Sequence, residues 1–284
     1  MMHPLPDPEP QIEGREPPLS AEPAGRLSAV TPATPDALIG PSAGPLTPQS
    51  PWSGHDLVVF AVFFGLTIVF LPYSVIRVLR VFNPSLRPTD LTAVDQVLLQ
   101  GFMNLVLVGF IAFLIKIVHR RSFLETIHWV RNHNFAPSFL IALGATLAIS
   151  VLLVSSFFPP TEPPPIEKLL SSTSAMYIFA IFGIGVAPLF EEIIFRGFLF
   201  KVLFEMGGPA LAVPLTAGLF ALLHIPQLWG SWAGIALIFV VGYVLSLVRE
   251  RANSIIPSFI LHTSYNAMLF AVFALSSFIQ AGDR

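Results

Sequence analysis

The stretch Ala187-Pro188-Leu189-Phe190-Glu191-Glu192-Ile193-Ile194-Phe195-Arg196 decides how the chain is read. Two adjacent carboxylates and an arginine stand inside a run that otherwise has the composition of a membrane helix; from Ser174 to Phe190 there is no charge. An ionisable group at bilayer depth costs about 2.5–3.5 kcal/mol on insertion scales. Several such groups packed so closely need a purpose. On an α-helix Glu192 and Arg196 are i, i+4 neighbours on one face and can pair. Glu191 is rotated by about 100° and does not share that face. One carboxylate is thus expected to be held by the arginine, and the other to point elsewhere in the bundle.

The composition agrees with a membrane setting. Of 284 residues, 54% are hydrophobic and 11% charged, and the mean hydropathy is +0.74. A soluble domain carries roughly 25% charged residues. The net charge of −2 offers no basic surface to a nucleic acid. There is no cysteine, which removes disulfides, thiolate metal sites, a cysteine nucleophile and lipid attachment to sulfur. The expected class is all-α: a polytopic transmembrane bundle of about seven spans behind a disordered, proline-rich N-terminal tail.

Residues 1–53 hold nearly half of the chain's 27 prolines and no apolar run. Such a segment cannot bury enough surface to offset its ordering entropy. It lacks the basic start and apolar core of a signal peptide. N-terminal membrane helices are expected over 54–170 and a catalytic membrane core over 171–280. The spans fall at 57–76, with Asp56 as N-cap, then 97–117, 138–158 and 174–205. The last of these ends at Gly207-Gly208-Pro209. Shorter spans follow at 210–225 and 233–248, and a final one at 254–278. Asn104 and Gln96 read as helix–helix contacts. The basic segment 116–135 carries His119, His128 and His133 at spacings that fit no common metal site, and reads as an interfacial loop.

Lys116, Arg120, Arg121 and Arg131 place the second-to-third loop inside, and Arg249 and Arg251 do the same for the sixth-to-seventh loop. Arg77, Arg80 and Arg87 vote against. The majority puts the N-terminus in the cytoplasm and the C-terminus outside.

Further polar residues interrupt the late spans. His224 follows Phe220 by four positions, and His262 precedes Asn266 by four, which puts each pair on one helical face. Three helices then offer polar groups inside one bundle, where their expected partners are one another. A carboxylate in an apolar setting suits a general base. A histidine beside it can share in activating water or protonate a leaving amine. A second histidine and an asparagine can stabilise an oxyanion. This set could hydrolyse an amide without a protein nucleophile. Glu191, His224 and His262 could equally ligate a divalent metal, most simply zinc, with one position left for water. The residues leave both mechanisms open. Other protease chemistries are missing: no H-E-x-x-H, no G-x-S-x-G, and no aspartate in any late span.

E-E-x-x-x-R at Glu191–Arg196, F-x-x-x-H at Phe220–His224 and H-x-x-x-N at His262–Asn266 resemble the three motifs of the CPBP intramembrane proteases. That family includes the type II CAAX prenyl endopeptidases and the Abi bacteriocin-immunity proteins. The flanks Pro188-Leu189-Phe190, Gly197-Phe198-Leu199 and Ile256-Pro257-Ser258 agree, and the likeness covers Ser174 to Leu269. The resemblance implies that Glu191 activates water with His224 beside it. It gives the oxyanion side to His262 and Asn266, and supporting roles to Glu192 and Arg196. The family is described both as metal-dependent and as a metal-independent glutamate protease. The implied partners are the lipid bilayer and a membrane-associated peptide or protein substrate, in a bacterial cell membrane. The alternative is a non-catalytic immunity or scaffold protein of the same fold.

Overall fold

The computed structural model describes residues 51–131, 134–160, 177–178 and 180–282. Every regular element among them is helical, as expected where lipid leaves no water to satisfy exposed backbone groups. Helix α1 is Gly54–Phe82, α2 is Ala93–Val118, α3 is the short Phe123–Thr126 and α4 is Pro137–Ser156. A helical run Phe182–His224 follows, broken at Gly207 and Gly208. It divides into α5 (182–206) and α6 (209–224). Helix α7 is Trp232–Ala252 and α8 is Ile255–Gly282.

The break is a reversal. Gly208 has φ 66° and ψ −168°, a backbone that only glycine adopts without strain. A straight helix would separate residues 195 and 220 by about 37 Å at 1.5 Å per residue. Instead the Phe195 and Phe220 rings lie 5.1 Å apart, and Ala212 and Val213 pack with Phe200 and Leu203. The six runs long and apolar enough to cross a membrane are therefore seven long helices among the described residues, as the sequence leads one to expect. Most of the proline-rich tail, the loop around Pro165 and His133 lie outside the described residues.

Several boundaries differ from the sequence reading. Ser53, not Asp56, is the N-cap of α1, and Asp56 sits at the third helical position. Its Oδ2 accepts the Ser53 backbone N–H at 2.9 Å and the Ser53 hydroxyl at 2.8 Å. This is the carboxylate half of a capping box, which satisfies orphan donors from inside the helix. Helix α7 has 21 residues, enough for a full crossing, and it carries Arg249 and Arg251 within it. Gln96 donates to the Leu91 carbonyl and Gln100 to Asn104, so these amides bond within their own segment.

Helices α4 and α8 pack very closely at Gly144. A Cβ there would stand 2.5 Å from the Leu261 carbonyl oxygen and 2.9 Å from the Ser264 Cβ. Small residues permit such backbone approach in membrane bundles. Gly144→Ala is therefore expected to cost about 1–3 kcal/mol as an overpacking change. Thermal unfolding in detergent would measure it, and an unchanged midpoint would contradict the close crossing.

The segment between α2 and α4 docks onto the end of the bundle where α7 turns into α8. His119 Nε2 pairs with Asp56 at 2.8 Å. Trp52 packs edge-on against His119 and Phe198, at 5.4 and 4.8 Å between ring centres. The Ser254 hydroxyl donates to the Val130 carbonyl at 2.6 Å, and the Ile255 N–H to the His128 carbonyl at 3.1 Å. Ile127 is fully buried. Turn residue Asn253, at φ 47°, closes α7 in the left-handed region that asparagine tolerates.

His128 is expected to make this docking pH-sensitive. Its Nδ1 lies 3.3 Å from the Asn253 carbonyl. Burial, then the nearby cations Arg249 and Lys201, push its ring down to about 4 from an ordinary 6.5. A depressed folded value means that the neutral ring is the one that docks. Its contribution is complete above the ordinary value of 6.5 and is lost as pH falls towards about 4. The protection factors of the Ile127–Val130 amides, taken relative to their pH-dependent intrinsic exchange, should therefore fall across that window, and the fall should be absent in His128→Asn.

Candidate active site

Glu191 closes the α-helical turn Ala187–Glu191, and the backbone then widens into a π turn over Glu192–Leu199. Such turns are rare and gather at functional sites. The widening turns the polar side chains of α5 into the bundle. Glu192 and Arg196 are both completely buried, and Arg196 Nη1 donates to Glu192 Oε1 at 3.2 Å. The guanidinium stacks 4.7 Å from the Phe220 ring on α6, and its Nη2 donates to the Gly242 carbonyl of α7 at 3.0 Å. One arginine thus ties α5 to α6 and to α7.

His262 of α8 stands between the two carboxylates. Its Nδ1 is 3.0 Å from Glu192 Oε1. That contact is a hydrogen bond when Nδ1 carries the proton, which leaves Nε2 facing Glu191. Nε2 lies 3.6 Å from Glu191 Oε2, too long for a direct hydrogen bond. The Glu191 side chain keeps 24% of its surface exposed, against 0% for Glu192. The adjacent carboxylates are therefore unequal: one is locked by an arginine and a histidine, and the other is open on one side.

His224, at the C-terminal end of α6, is partly exposed. Its Nδ1 lies 2.7 Å from the Phe220 carbonyl, so Nε2 is the nitrogen available to another group. Its ring meets Phe220 at 4.5 Å, and Phe220 meets His262 at 5.8 Å. Among the described residues the ion pairs of the site join Glu191, Glu192, Arg196 and His262 and leave His224 outside them. Asn266 Nδ2 donates to the Gly183 carbonyl at 2.7 Å, which ties α8 to the first turn of α5. The structure thus gathers Glu191, Glu192, Arg196 and His262 in direct contact. It brings His224 in only through Phe220, and gives Asn266 a backbone partner.

No group of three or more His, Asp or Glu side chains among the described residues could hold a metal ion. Glu191, His224 and His262 are therefore not gathered into such a group among the described residues; the Nδ1 contacts of His262 with Glu192 and of His224 with the Phe220 carbonyl leave each Nε2 outside those contacts.

Arg249 is the residue that the sequence does not announce. A basic residue closing an apolar run reads as interfacial, yet this one is only 1% exposed. Its Nε donates to the Arg196 carbonyl at 3.0 Å, and its guanidinium sits 5.3 Å from the Phe200 ring. Nothing in its spacing points to the α5 backbone; only the packing of α7 on α5 brings them together.

A seven-helix bundle whose runs are long and apolar enough to cross a membrane points to an integral membrane protein, with a buried glutamate–arginine–histidine cluster among its helices. Residues 173–268, which contain all of these site residues, match the family model described as "Type II CAAX prenyl endopeptidase Rce1-like". The match is well short of half the chain, and it supports membership of the CPBP family with its CAAX-protease-like fold. No curated protein and no solved structure matches the chain.

Proposed function

We propose that this protein is an intramembrane endopeptidase that cuts a membrane-associated peptide or protein, in a bacterial cell membrane, with Glu191 as the base. The observation that carries the reading is the inequality of the two glutamates beside one histidine. Glu192 is fully committed to Arg196 and His262, while Glu191 remains open on one side with His262 Nε2 3.6 Å away.

In this mechanism Glu191 takes a proton from a water molecule, and the resulting hydroxide attacks the scissile carbonyl carbon. The carbonyl electrons move onto oxygen to give a tetrahedral oxyanion. Collapse breaks the C–N bond, and the proton returns to the leaving nitrogen, giving an amine and a carboxylic acid that then ionises to solvent. Glu192 orients His262 through Nδ1, as a carboxylate orients a catalytic imidazole elsewhere. The approach of His262 to Glu191 favours His262 as the proton relay, whereas the motif resemblance puts His224 beside Glu191 and His262 on the oxyanion side. The free Nε2 of His224 and the Asn266 amide then serve the oxyanion side, Asn266 by exchanging its Gly183 partner for substrate.

The test is cleavage of a fluorogenic peptide tethered to liposomes by an apolar or prenyl anchor, with purified protein. Turnover is expected with and without a chelator. Loss of turnover in chelator that zinc restores would overturn the glutamate reading, and so would full turnover by His262→Gln.

A further inference from the structure

We propose that Arg249 is a positioning residue of this site, which sets the direction of Glu192, Arg196 and His262 by holding the Arg196 carbonyl. The inference rests on the functional reading above for its importance, though not for its geometry.

The argument begins with the backbone. In the π turn Glu192–Leu199 the Phe200 N–H donates to the Phe195 carbonyl, five residues back. The α-helical ladder resumes at Phe200. Where i+5 bonding gives way to i+4 bonding, the ladder skips a carbonyl, which then needs another donor. The Arg196 carbonyl lies at that junction, and Arg249 Nε supplies the donor at 3.0 Å. Without it the widened turn would hold a buried, poorly satisfied carbonyl and would gain by relaxing to an ordinary α turn.

Helix α7 grips the same residue a second time. Arg196 Nη2 donates to the Gly242 carbonyl at 3.0 Å, and the Ser246 hydroxyl donates to that oxygen at 2.8 Å. Gly242 and Arg249 lie about two turns apart on one face of α7. Backbone and side chain of Arg196 are therefore pinned by two points on one helix. The pinned guanidinium holds Glu192, and Glu192 holds His262.

Charge and packing fit the role. The cluster Glu191, Glu192, Arg196 and Arg249 contains equal numbers of potential anions and cations. Arg249 Nη2 has no hydrogen-bond partner although it is buried, and Nη1 reaches Asn253 Oδ1 only at 3.5 Å. The one short bond of this side chain is thus the one to the π turn. Lysine keeps the charge but has no planar Nε–H to place there.

The experiment needs no substrate. Full-length protein carrying 15N-labelled histidine is reconstituted in nanodiscs, and the His262 ring signals are assigned by comparison with His262→Gln. Arg249→Lys and, independently, Arg249→Gln should each shift the His262 ring nitrogens. Where turnover is measurable, each should lower kcat by about tenfold or more with KM within about twofold. Using two variants guards against a folding defect in either one. His262 signals unchanged in a folded variant of either kind would overturn the proposal. Cleavage that survives Glu191→Gln would overturn the assignment of Glu191 as the base instead and leave the His262 shift as it stands.

Discussion

Glu191→Gln is expected to lower turnover of a membrane-tethered peptide by about 10²–10⁴-fold, the range in which a positioned general base contributes. The amide has nearly the same shape as the carboxylate and cannot take a proton from water. Glu191 is partly exposed, with a 3.6 Å approach to His262 and no closer ion pair. The substitution should therefore leave the thermal midpoint nearly unchanged. Activity that persists would end the assignment of Glu191. A folded, inactive variant that kept a cellular phenotype would favour a non-catalytic role for the fold.

The opposite pattern is expected one residue later. Arg196→Met leaves the Glu192 carboxylate, completely buried, without its guanidinium partner. Breaking a buried ion pair from one side costs about 3–5 kcal/mol, because the charge left behind has no partner. Glu192→Gln should be costly as well, since it strands Arg196 and weakens the hold on His262. The double variant Glu192→Gln/Arg196→Met removes both charges and should be more stable than either single change predicts. Equilibrium or thermal unfolding of the four proteins would measure this cycle. A strictly additive result would show that the 3.2 Å contact is not an energetic pair.

These two predictions divide the E-E pair by role, and the division was partly legible in the sequence. The i, i+4 spacing of Glu192 and Arg196 was enough to pair them and to send Glu191 another way. The widened backbone did not disturb that pairing, because residues four apart remain on one side of a π turn. What spacing could not supply is the third partner. His262 is 70 residues from Glu192, and an isolated H-x-x-x-N face does not say which carboxylate it will meet. The structure gives Glu192 a hold on that ring.

The reversal at Gly207-Gly208 was legible for a local reason. Two glycines followed by a proline break a helix regardless of its surroundings, and Gly208 needs a positive φ. The reading of the Asp56 cap went wrong by three residues, because an acidic residue favours both the N-cap and the third position of a capping box. The length of α7 was underestimated because its last turn carries charge, and charge at the end of an apolar run resembles a loop. Only packing turns Arg249 inward.

The sequence by itself determined the helical membrane class, the number of long helices, the hairpin at Gly208 and the pairing of Glu192 with Arg196. These follow from composition, local backbone preference and the cost of charge in lipid, all of which act over a few residues. Only the tertiary structure decided that Glu192 holds His262, that His224 stays outside the ion pairs of the site, and that Arg249 reaches the α5 backbone. Those contacts depend on how helices distant in sequence are rotated and set against each other, and no short-range pattern encodes that rotation.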